Sequence, residues 1–452
     1  MLGLNRKHTF LFLVVVEVLF TTFPVVGMVF YSTASMDFNT TAPTGSLANS
    51  GWQWVGSWGS FQGAPIGAHH FLAANHVGGN VGDPFTFQGE TYTTVASFAD
   101  SSSDLRIWEV REKFPTWAPI YTHGDELGRS LVVFGRGVTR GAEVRTAVTV
   151  AGVPADTLAG WRWGAVDGRL RWGQNKVAKI VASTPFGMQL YATFDKNGGP
   201  NECHLGTGDS SGPVFINDDT EWKLAGVAGL VDSNFNLTQS GGGFKACLFD
   251  VRGLYYGNSG SWALVSGSVP VPSGFYATRV SVRAPWIGTV LTAPPTVIVP
   301  VEIGDLSQVY DGRPHPVRVT ANPSGMTVTV KYSGSSTVPV NAGKYEIVAI
   351  ATGAGCFGKV SGSLSIAKAS QTITFNAFAP VTTSTTSFHV TATASSALPV
   401  SLSSSNPAVA TVQGSTMIVF APGVTTITAS QSGNENYLPA ASANQTLVVN
   451  AQ

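Results

Sequence analysis

GTGDSSGPVF, residues Gly206–Phe215, is the stretch of sequence that says most about the fold of this chain. A serine hydroxyl is a weak nucleophile unless a base removes its proton, and the oxyanion that then develops needs hydrogen-bond donors already in place. Glycines around a serine let backbone N–H groups turn toward that oxyanion without a side-chain clash. Ser210 is therefore a candidate nucleophile, and the alternative interpretation is an ordinary Gly-Ser turn between two strands.

Two further segments contain the partners that a serine nucleophile needs. The segment FLAANHV, residues Phe71–Val77, places His76 directly after an apolar run, where a strand would end. Histidine is the side chain best suited to take and return a proton near neutral pH. Asp104 precedes the alternating segment LRIWEV, residues Leu105–Val110, and so lies at the head of a predicted strand. Taken singly, each residue also fits a structural histidine or a solvated strand-end aspartate.

The order His76, Asp104, Ser210 with these flanking residues resembles the chymotrypsin/trypsin-like serine peptidases, in particular their divergent exported bacterial branch. The resemblance covers residues 51–291. It also includes the segments FGRG (134–137), LAGVAG (224–229), GFYATRV (274–280) and WI (286–287), the last of which indicates a terminal helix. It implies an all-β fold, with two antiparallel six-stranded β-barrels and the catalytic residues in the cleft between them.

The resemblance also implies a covalent mechanism on a protein or peptide substrate. His76 takes the proton of Ser210, Asp104 holds the imidazole in one tautomer, and the N–H groups of Gly208 and Ser210 form the oxyanion hole. Water then hydrolyses the acyl-enzyme. No metal or organic cofactor is required, so none is expected.

The strand that follows the nucleophile lines the substrate cleft in the family that this chain resembles. That likeness assigns substrate contacts to three consecutive residues, Gly229, Leu230 and Val231. The segment before Ser210 is longer than in the family. The residue at the base of the specificity pocket is therefore expected to be Asn201 or His204.

Three departures from the family pattern bear on activity. Ser211 stands where the family has glycine, and its Cβ would tilt the oxyanion turn if that position needs φ > 0, with reduced activity as the consequence. Asn75 replaces the usual alanine before His76, a small polar change that we expect to be tolerated. No Ile-Val-Gly-Gly start precedes the domain, so no pairing of a new N-terminus with Asp209 is evident, and removal of a signal peptide is expected to suffice.

The number and spacing of the cysteines argue against a metal site and leave room for one disulfide. The chain has 3 cysteines, too few for a disulfide scaffold, and none lies in a paired metal-ligand spacing. Cys203 and Cys247 flank the nucleophile and the cleft strand, where the resembled family often has a disulfide that braces the pocket. Pairing of these two is expected in an oxidising compartment. Cys356 belongs to the next module.

Length and composition limit the domain count and the partners. The 452 residues exceed the size of one hydrophobic core, so about two to four domains are expected. Lysine plus arginine and aspartate plus glutamate number 26 each, so no net field attracts nucleic acid or an anionic membrane. Gly (51) and Pro (25) are abundant while charged residues make up only 12%, a composition that favours short strands and turns.

The N-terminus has the layout of an export signal. Arg6 and Lys7 precede the apolar run Phe10–Phe23, and small residues collect near Ala34. We expect a signal peptide over residues 1–35 and a secreted, periplasmic or cell-surface protein that keeps no stable membrane span. The alternative is an uncleaved anchor, which Glu17 opposes because a carboxylate near the centre of a membrane helix costs roughly 2.5–3.5 kcal/mol.

The C-terminal part predicts two β-sandwich modules after a linker. The linker is LTAPPT, residues 291–296, because consecutive prolines block regular pairing. Beyond it, Thr, Ser and Val alternate with almost no ionisable side chains. The module at 292–368 resembles MBG repeats through VYDGRPHPV (309–317) and NAGKY (341–345), and that at 369–452 resembles bacterial Ig-like domains through SSNPAVA (404–410) and GVTTITA (423–429). Both are expected to be spacers or weak binding modules that contact the cell surface.

These observations predict one function and leave two alternatives. The first hypothesis is an exported serine endopeptidase whose catalytic domain covers residues 36–291. The second is a surface adhesion or carbohydrate-binding protein whose peptidase-like domain is inactivated by Ser211, and the third is a serine esterase with the same catalytic residues. The presence of all three catalytic side chains favours the first hypothesis over the second.

Overall fold

The computed structural model describes residues 27–150, 153–183, 185–353 and 355–452. The chain divides into two compact units, one ending at Pro294 and the other running from Pro295 to Gln452. This division lies inside the proline-containing segment 291–296. The predicted export signal up to residue 26 lies outside the described residues. No helix among those that are described has the length and apolar character needed to cross a membrane.

The first described strand lies inside the predicted signal peptide, residues 1–35. Strand β1 (Val29–Phe30) pairs antiparallel with Cys203–His204. Met28 and both β1 side chains are at most 2% exposed. Cleavage near residue 35 would remove this buried strand from the chain. The cleavage position stays a prediction, because a short apolar run fits a buried strand as well as an export signal.

Six antiparallel strands close the first barrel, as predicted. They are β2 (Gly56–Trp58), β3 (Phe61–Gly67), β4 (His70–Ala74), β5 (Pro84–Phe87), β6 (Glu90–Ala99) and β7 (Leu105–Val110), in the order β2-β3-β4-β7-β6-β5. Alternation along these strands sends aromatic side chains inward. Phe71 and Phe85 stack there with ring centroids 3.9 Å apart, beside buried Trp58 and Trp108.

The second barrel is formed by strands that follow the connection at residues 111–129. The strands of this region are β8 (Ser130–Gly135), β9 (Val138–Val150), β10 (Val153–Val166), β11 (Arg171–Ser183), β12 (Gly187–Thr193), β13 (Cys203–His204), β14 (Pro213–Asn217), β15 (Trp222–Val231), β16 (Asn234–Asn236), β17 (Phe244–Leu248), β18 (Tyr255–Tyr256), β19 (Ala263–Leu264) and β20 (Gly274–Arg279). The barrel closes as β11-β12-β20-β15-β14-β8. The long β9–β10 hairpin joins β16 to β19 in a separate six-stranded sheet.

One α-helix ends the first unit, at the predicted place. Helix α1 (Ala284–Leu291) follows a 3-10 turn at Ser281–Arg283. Its Ile287 and Val290 are buried in a cluster that contains residues of both barrels, so the helix closes the core between them. Three other 3-10 turns lie at Gly45–Leu47, Trp52–Trp54 and Asn75–Val77.

The described residues of the second unit form strands and loops. Its first half contains β21 (Val297–Ile298), β22 (Val301–Gly304), β23 (Ser307–Val309), β24 (Arg318–Ala321), β25 (Thr327–Tyr332), β26 (Gly343–Gly353) and β27 (Cys356–Ala367). Its second half contains β28 (Ile373–Phe375), β29 (Val381–Thr382), β30 (Ser387–His389), β31 (Ala392–Ala394), β32 (Ser401–Ser404), β33 (Ala410–Gln413), β34 (Thr416–Val419), β35 (Gly423–Ser430) and β36 (Ala443–Asn450). Each half buries its own apolar cluster, around Ile347 and Leu364 in one and around Ile427 and Leu447 in the other. The all-β expectation is confirmed.

Candidate active site

His76 and Asp104 lie together at the ends of neighbouring strands of the first barrel. Asp104 directly precedes β7, and His76 lies in the 3-10 turn after β4, the strand that pairs with β7. The Asp104 carboxylate accepts hydrogen bonds from His76 through both oxygens: Oδ1 from the backbone N–H at 2.9 Å and Oδ2 from ring Nδ1 at 2.5 Å. The side chain of Asp104 is 5% exposed and that of His76 is 34% exposed. The carboxylate thus orients the ring while leaving its other nitrogen, Nε2, available to solvent or substrate.

Asn75, one of the departures noted in the sequence, is accommodated by a contact of its own. Its side-chain oxygen accepts a hydrogen bond from Arg106 Nε at 2.8 Å, and its backbone N–H donates to the Asp104 carbonyl at 2.9 Å. Arg106 lies on β7, beside Asp104. Asn75 therefore adds hydrogen bonds between the turn that carries His76 and the start of β7, next to Asp104.

Asp209 shapes the turn that carries Ser210. Its carboxyl group is buried and accepts backbone N–H groups from Gly137 at 2.6 Å and from Gly206 at 2.8 Å. Burial raises the pKa of Asp209 to about 7, an effect that these backbone donors partly offset. A Cβ at Gly135 would overlap the Asp209 carboxyl group, which explains the glycines of the FGRG segment.

The predicted oxyanion donors are the backbone N–H groups of Gly208 and Ser210. Gly208 has φ of 94° and packs against Gly137, so a side chain at residue 208 would be strained and crowded. Within the described part of the chain, the backbone N–H groups of Gly208 and Ser210 donate to no other group. Both are thus free to bind an oxygen atom that develops negative charge in front of Ser210.

Ser211, which stands where the resembled family has glycine, adopts a backbone conformation with positive φ. Its φ is 65°, in the left-handed region. Its side chain is nevertheless used: Ser211 Oγ accepts the backbone N–H of Ala74 at 2.8 Å, and the residue is 1% exposed. Ala74 belongs to the first barrel, two residues before His76. The hydroxyl therefore ties the nucleophile turn to the strand that carries the histidine.

Ser210 faces the same cleft as the His76–Asp104 pair. Gly229 lines a cavity with Ser210, and a Cβ built on Gly229 would lie 3.3 Å from Asp104 Oδ2 and 3.8 Å from His76 Cε1. Among the described residues no hydrogen bond joins Ser210 Oγ to His76. The three residues are brought to one cleft, but the bond between nucleophile and base is not formed.

A cavity of about 290 Å³ adjoins Ser210. Gly229, Leu230 and Val231, the predicted substrate contacts, line it together with residues 205–207, Asp209 and Ala228. Its remaining lining residues are Trp163, Ser233 and Lys245. Sequence reasoning missed these three: Trp163 and Lys245 lie on β10 and β17, distant from the nucleophile in sequence, Ser233 lies in the connection after β15, and no local pattern marks any of them.

The predicted base of the pocket is wrong. Asn201 bonds Asn39 and Gln174 at 3.1 and 2.8 Å, away from the cavity. His204 is fully buried, with Nδ1 2.6 Å from the Leu205 carbonyl, and burial lowers its pKa to about 4. The reason is that the segment before the nucleophile forms β13, which pairs with β1 instead of lining the pocket.

The predicted disulfide is also wrong. Cys203 and Cys247 are both free thiols, completely buried, and burial raises the pKa of each. Cys203 packs in the core of the second barrel, while Cys247 lies in a different cluster beside Trp161 and its Sγ is 3.7 Å from the Leu205 carbonyl. The resemblance placed them together, but β13 and β17 direct the two side chains into different cores.

The donor set of the site does not suit a metal ion. Within the described ranges, no group of three or more His, Cys, Asp or Glu side chains is arranged to hold one. The two acids nearest the nucleophile, Asp104 and Asp209, already use their oxygens for hydrogen bonds from His76 and from backbone N–H groups. No residue of this site is therefore assigned to a cofactor.

Comparison with known proteins bears on the second unit. Residues 300–370 match the MBG domain family, and this range contains strands β22 to β27. The resemblance to MBG repeats in this module is therefore confirmed. No curated protein matches the chain at a significant level. The chain is an all-β protein with an MBG domain, and its two closed six-stranded barrels are consistent with a chymotrypsin-like fold.

Proposed function

We propose that the first unit is a serine endopeptidase that cleaves peptide bonds through an acyl-enzyme intermediate. The observation that carries this proposal is the connection of three groups at one cleft. Asp104 holds His76 through both carboxylate oxygens, and the Ser211–Ala74 hydrogen bond ties the Ser210 turn to the same strand end. A nucleophile, a base and a residue that orients the base are the parts that acyl transfer requires.

Acylation follows from this arrangement. His76 Nε2 accepts the Ser210 proton as Oγ attacks the substrate carbonyl carbon, and the carbonyl electron pair moves onto oxygen. The N–H groups of Gly208 and Ser210 stabilise that oxyanion, while Asp104 stabilises the imidazolium. When the tetrahedral intermediate collapses, His76 donates its proton to the leaving nitrogen, and the acyl group stays on Ser210.

Deacylation repeats the same steps with water as the nucleophile. His76 takes a proton from water, the hydroxide attacks the acyl carbon, and the same N–H groups stabilise the second oxyanion. Return of the proton to Ser210 Oγ releases the acid product. Each proton moves between substrate, water and one imidazole, so no redox partner is needed.

Labelling with a fluorophosphonate probe tests the proposal. We expect the protein to react at Ser210, and we expect Ser210→Ala and His76→Ala to lose the label. Thermal unfolding of each variant controls for folding. Absence of labelling in the folded wild-type protein would overturn the enzyme proposal.

An inactive surface-binding protein is the alternative to a peptidase that one observation favours. Among the described residues Ser210 Oγ makes no hydrogen bond to His76, and an inactive domain needs none. Catalytic hydrogen bonds are, however, often long in the absence of substrate, so this observation alone does not outweigh the ordered His76–Asp104 pair. A serine esterase would label equally, and hydrolysis of matched peptide and ester substrates separates it from a peptidase.

Export is part of the same proposal. The apolar run Phe10–Phe23 is proposed to direct the chain out of the cytoplasm, with cleavage before β1 instead of at residue 35. The second unit is proposed to act as a spacer that contacts the cell surface. Mass determination of the N-terminus of the exported protein tests the cleavage position, and a mature start beyond residue 31 would contradict it.

A further inference from the structure

The cavity beside Ser210 has a charge pattern of its own. Of its lining residues only Lys245 and Asp209 are ionisable. Lys245 lies on β17 with an exposed side chain, and its Nζ is 6.0 Å from the centre of the Trp163 ring. Asp209 is 1% exposed. The accessible charge in this cavity is therefore positive.

The carboxyl groups around the cavity have their oxygens occupied. Asp209 accepts hydrogen bonds from the N–H groups of Gly137 and Gly206, one on each oxygen. Asp232, next to the lining residue Ser233, accepts hydrogen bonds from three phenols, those of Tyr191, Tyr256 and Tyr276, at 2.8, 3.1 and 3.1 Å. Neither acid forms an ion pair with Lys245, so its ammonium group keeps its full capacity to pair with a bound anion.

Two hydroxyl groups add to the donors of the cavity. Ser233 is 6% exposed, and Thr207 lies in the turn that leads to the nucleophile. Within the described part of the chain, neither hydroxyl is hydrogen-bonded to another residue. An ammonium group and two hydroxyl groups are a donor set that matches the four lone-pair sites of a carboxylate.

We propose that this cavity receives the acidic side chain of a peptide substrate, with Lys245 as the residue that determines specificity. The inference rests on the proposed peptidase function. Because the cavity adjoins Ser210, the side chain nearest to reach it is that of the residue whose carbonyl carbon Ser210 attacks. The enzyme therefore cleaves after aspartate or glutamate. The Trp163 ring and Leu205 supply apolar wall for the methylene groups of that side chain.

The test uses fluorogenic peptides that differ only in the residue before the scissile bond. Glu, Asp, Gln, Phe and Lys peptides are compared for kcat/KM with the full exported chain. We expect Glu or Asp to exceed Gln by about tenfold, the value of one charge-assisted hydrogen bond. Lys245→Met should bring the Glu:Gln ratio close to one, and Lys245→Glu should shift the preference to the Lys peptide.

A second lysine variant controls for long-range electrostatic attraction between the protein and acidic peptides. Lys196 is also exposed and lies 5.8 Å from an aromatic ring, that of Phe249, but it does not line the cavity. Lys196→Met should keep the wild-type Glu:Gln ratio. An equal effect of both lysine substitutions would overturn the inference, because it would show long-range attraction and not a contact in the cavity.

Two outcomes distinguish failure of this inference from failure of the proposed function. If the fluorophosphonate probe labels Ser210 but the wild-type enzyme prefers the Phe, Gln or Lys peptide, the peptidase proposal stands and the acidic cavity is wrong. If the folded protein is not labelled and cleaves no peptide, the proposed function itself fails. Unfolding midpoints of both lysine variants show whether a lost preference comes from lost structure.

Discussion

The two barrels of the first unit both bury carboxyl groups, but they give them different partners. In the first barrel, Asp104 accepts both of its hydrogen bonds from His76. On the side of the second barrel, Asp209 accepts backbone N–H groups from two glycines, and Glu202 accepts the Asp195 N–H at 2.8 Å. The imidazole contact places Asp104 where it can support proton transfer, whereas Asp209 and Glu202 have no imidazole partner in the described part of the chain and hold the backbone around them in shape.

Substitution of the first-barrel acid should have the largest effect. Asp104→Asn should lower kcat by about 10³–10⁴-fold, because the amide no longer stabilises an imidazolium and admits the wrong tautomer of His76. Peptide hydrolysis under saturating substrate measures this loss. Glu202→Gln is the matched control, a buried acid changed to its amide on the other side of the cleft, and should keep kcat within about twofold. Similar losses in the two variants would abolish the distinction between the barrels.

Truncation tests how far the second barrel depends on the N-terminal strand. A chain that begins at residue 36 lacks β1 and should lose roughly 5 kcal/mol of stability, since the buried side chains of Met28, Val29 and Phe30 are removed. A chain that begins at residue 27 keeps the strand and should unfold like the exported protein. Urea unfolding followed by tryptophan fluorescence measures the difference. Equal midpoints for the two chains would show that β1 is dispensable.

The buried acid Glu202 should make stability depend on pH. Burial raises its pKa from 4.5 to about 8, so the folded state binds a proton that the unfolded state releases. Stability from this group is present below about pH 4.5 and is lost as the pH rises through about 8. Glu202→Gln does not titrate and should gain about 4 kcal/mol over wild type between pH 5 and pH 9, at roughly 1.4 kcal/mol for each pKa unit. A constant difference in unfolding free energy across this range would contradict the burial effect.

The smallest expected effect concerns the contact between the barrels. Ser211→Ala keeps the left-handed strain but removes the acceptor for the buried Ala74 N–H, at a cost of about 1–2 kcal/mol. Ser211→Gly removes the same acceptor and also relieves the strain, so it should be more stable than the alanine variant. Thermal unfolding ranks the two. Acylation by the fluorophosphonate probe should be slower in both, and faster acylation of the glycine variant would mean that strain at Ser211 limits the enzyme.

Much of the fold and part of the site follow from local patterns. Alternation in LRIWEV predicted β7, the apolar run before His76 predicted the end of β4, and the WI segment predicted helix α1. The glycines near Ser210 predicted a tight turn, and Gly208 has the positive φ that such a turn needs. These features depend on residues near in sequence, so their signals lie within a few positions of each other.

The errors concern contacts between distant segments. Apolar residues after Gly27 form a strand against Cys203–His204, although the same pattern fits an export signal. The two cysteines lie in different cores, and neither Asn201 nor His204 lines the cavity beside Ser210. None of these placements gives a periodic pattern in the sequence, because β1, β13 and β17 lie outside the closed second barrel and meet segments distant in the chain.

By itself the sequence determined the all-β class, the two-barrel architecture implied by the resemblance and the MBG module, and it predicted His76, Asp104 and Ser210 as catalytic residues. Side-chain period and glycine spacing carry that information, since they reflect what each residue does in its own strand or turn. Only the tertiary structure decided that Ser211 bonds Ala74 and that Lys245 enters the cavity beside Ser210. Those contacts join residues more than thirty positions apart in the chain, and their distances depend on how the two barrels and the separate six-stranded sheet pack together.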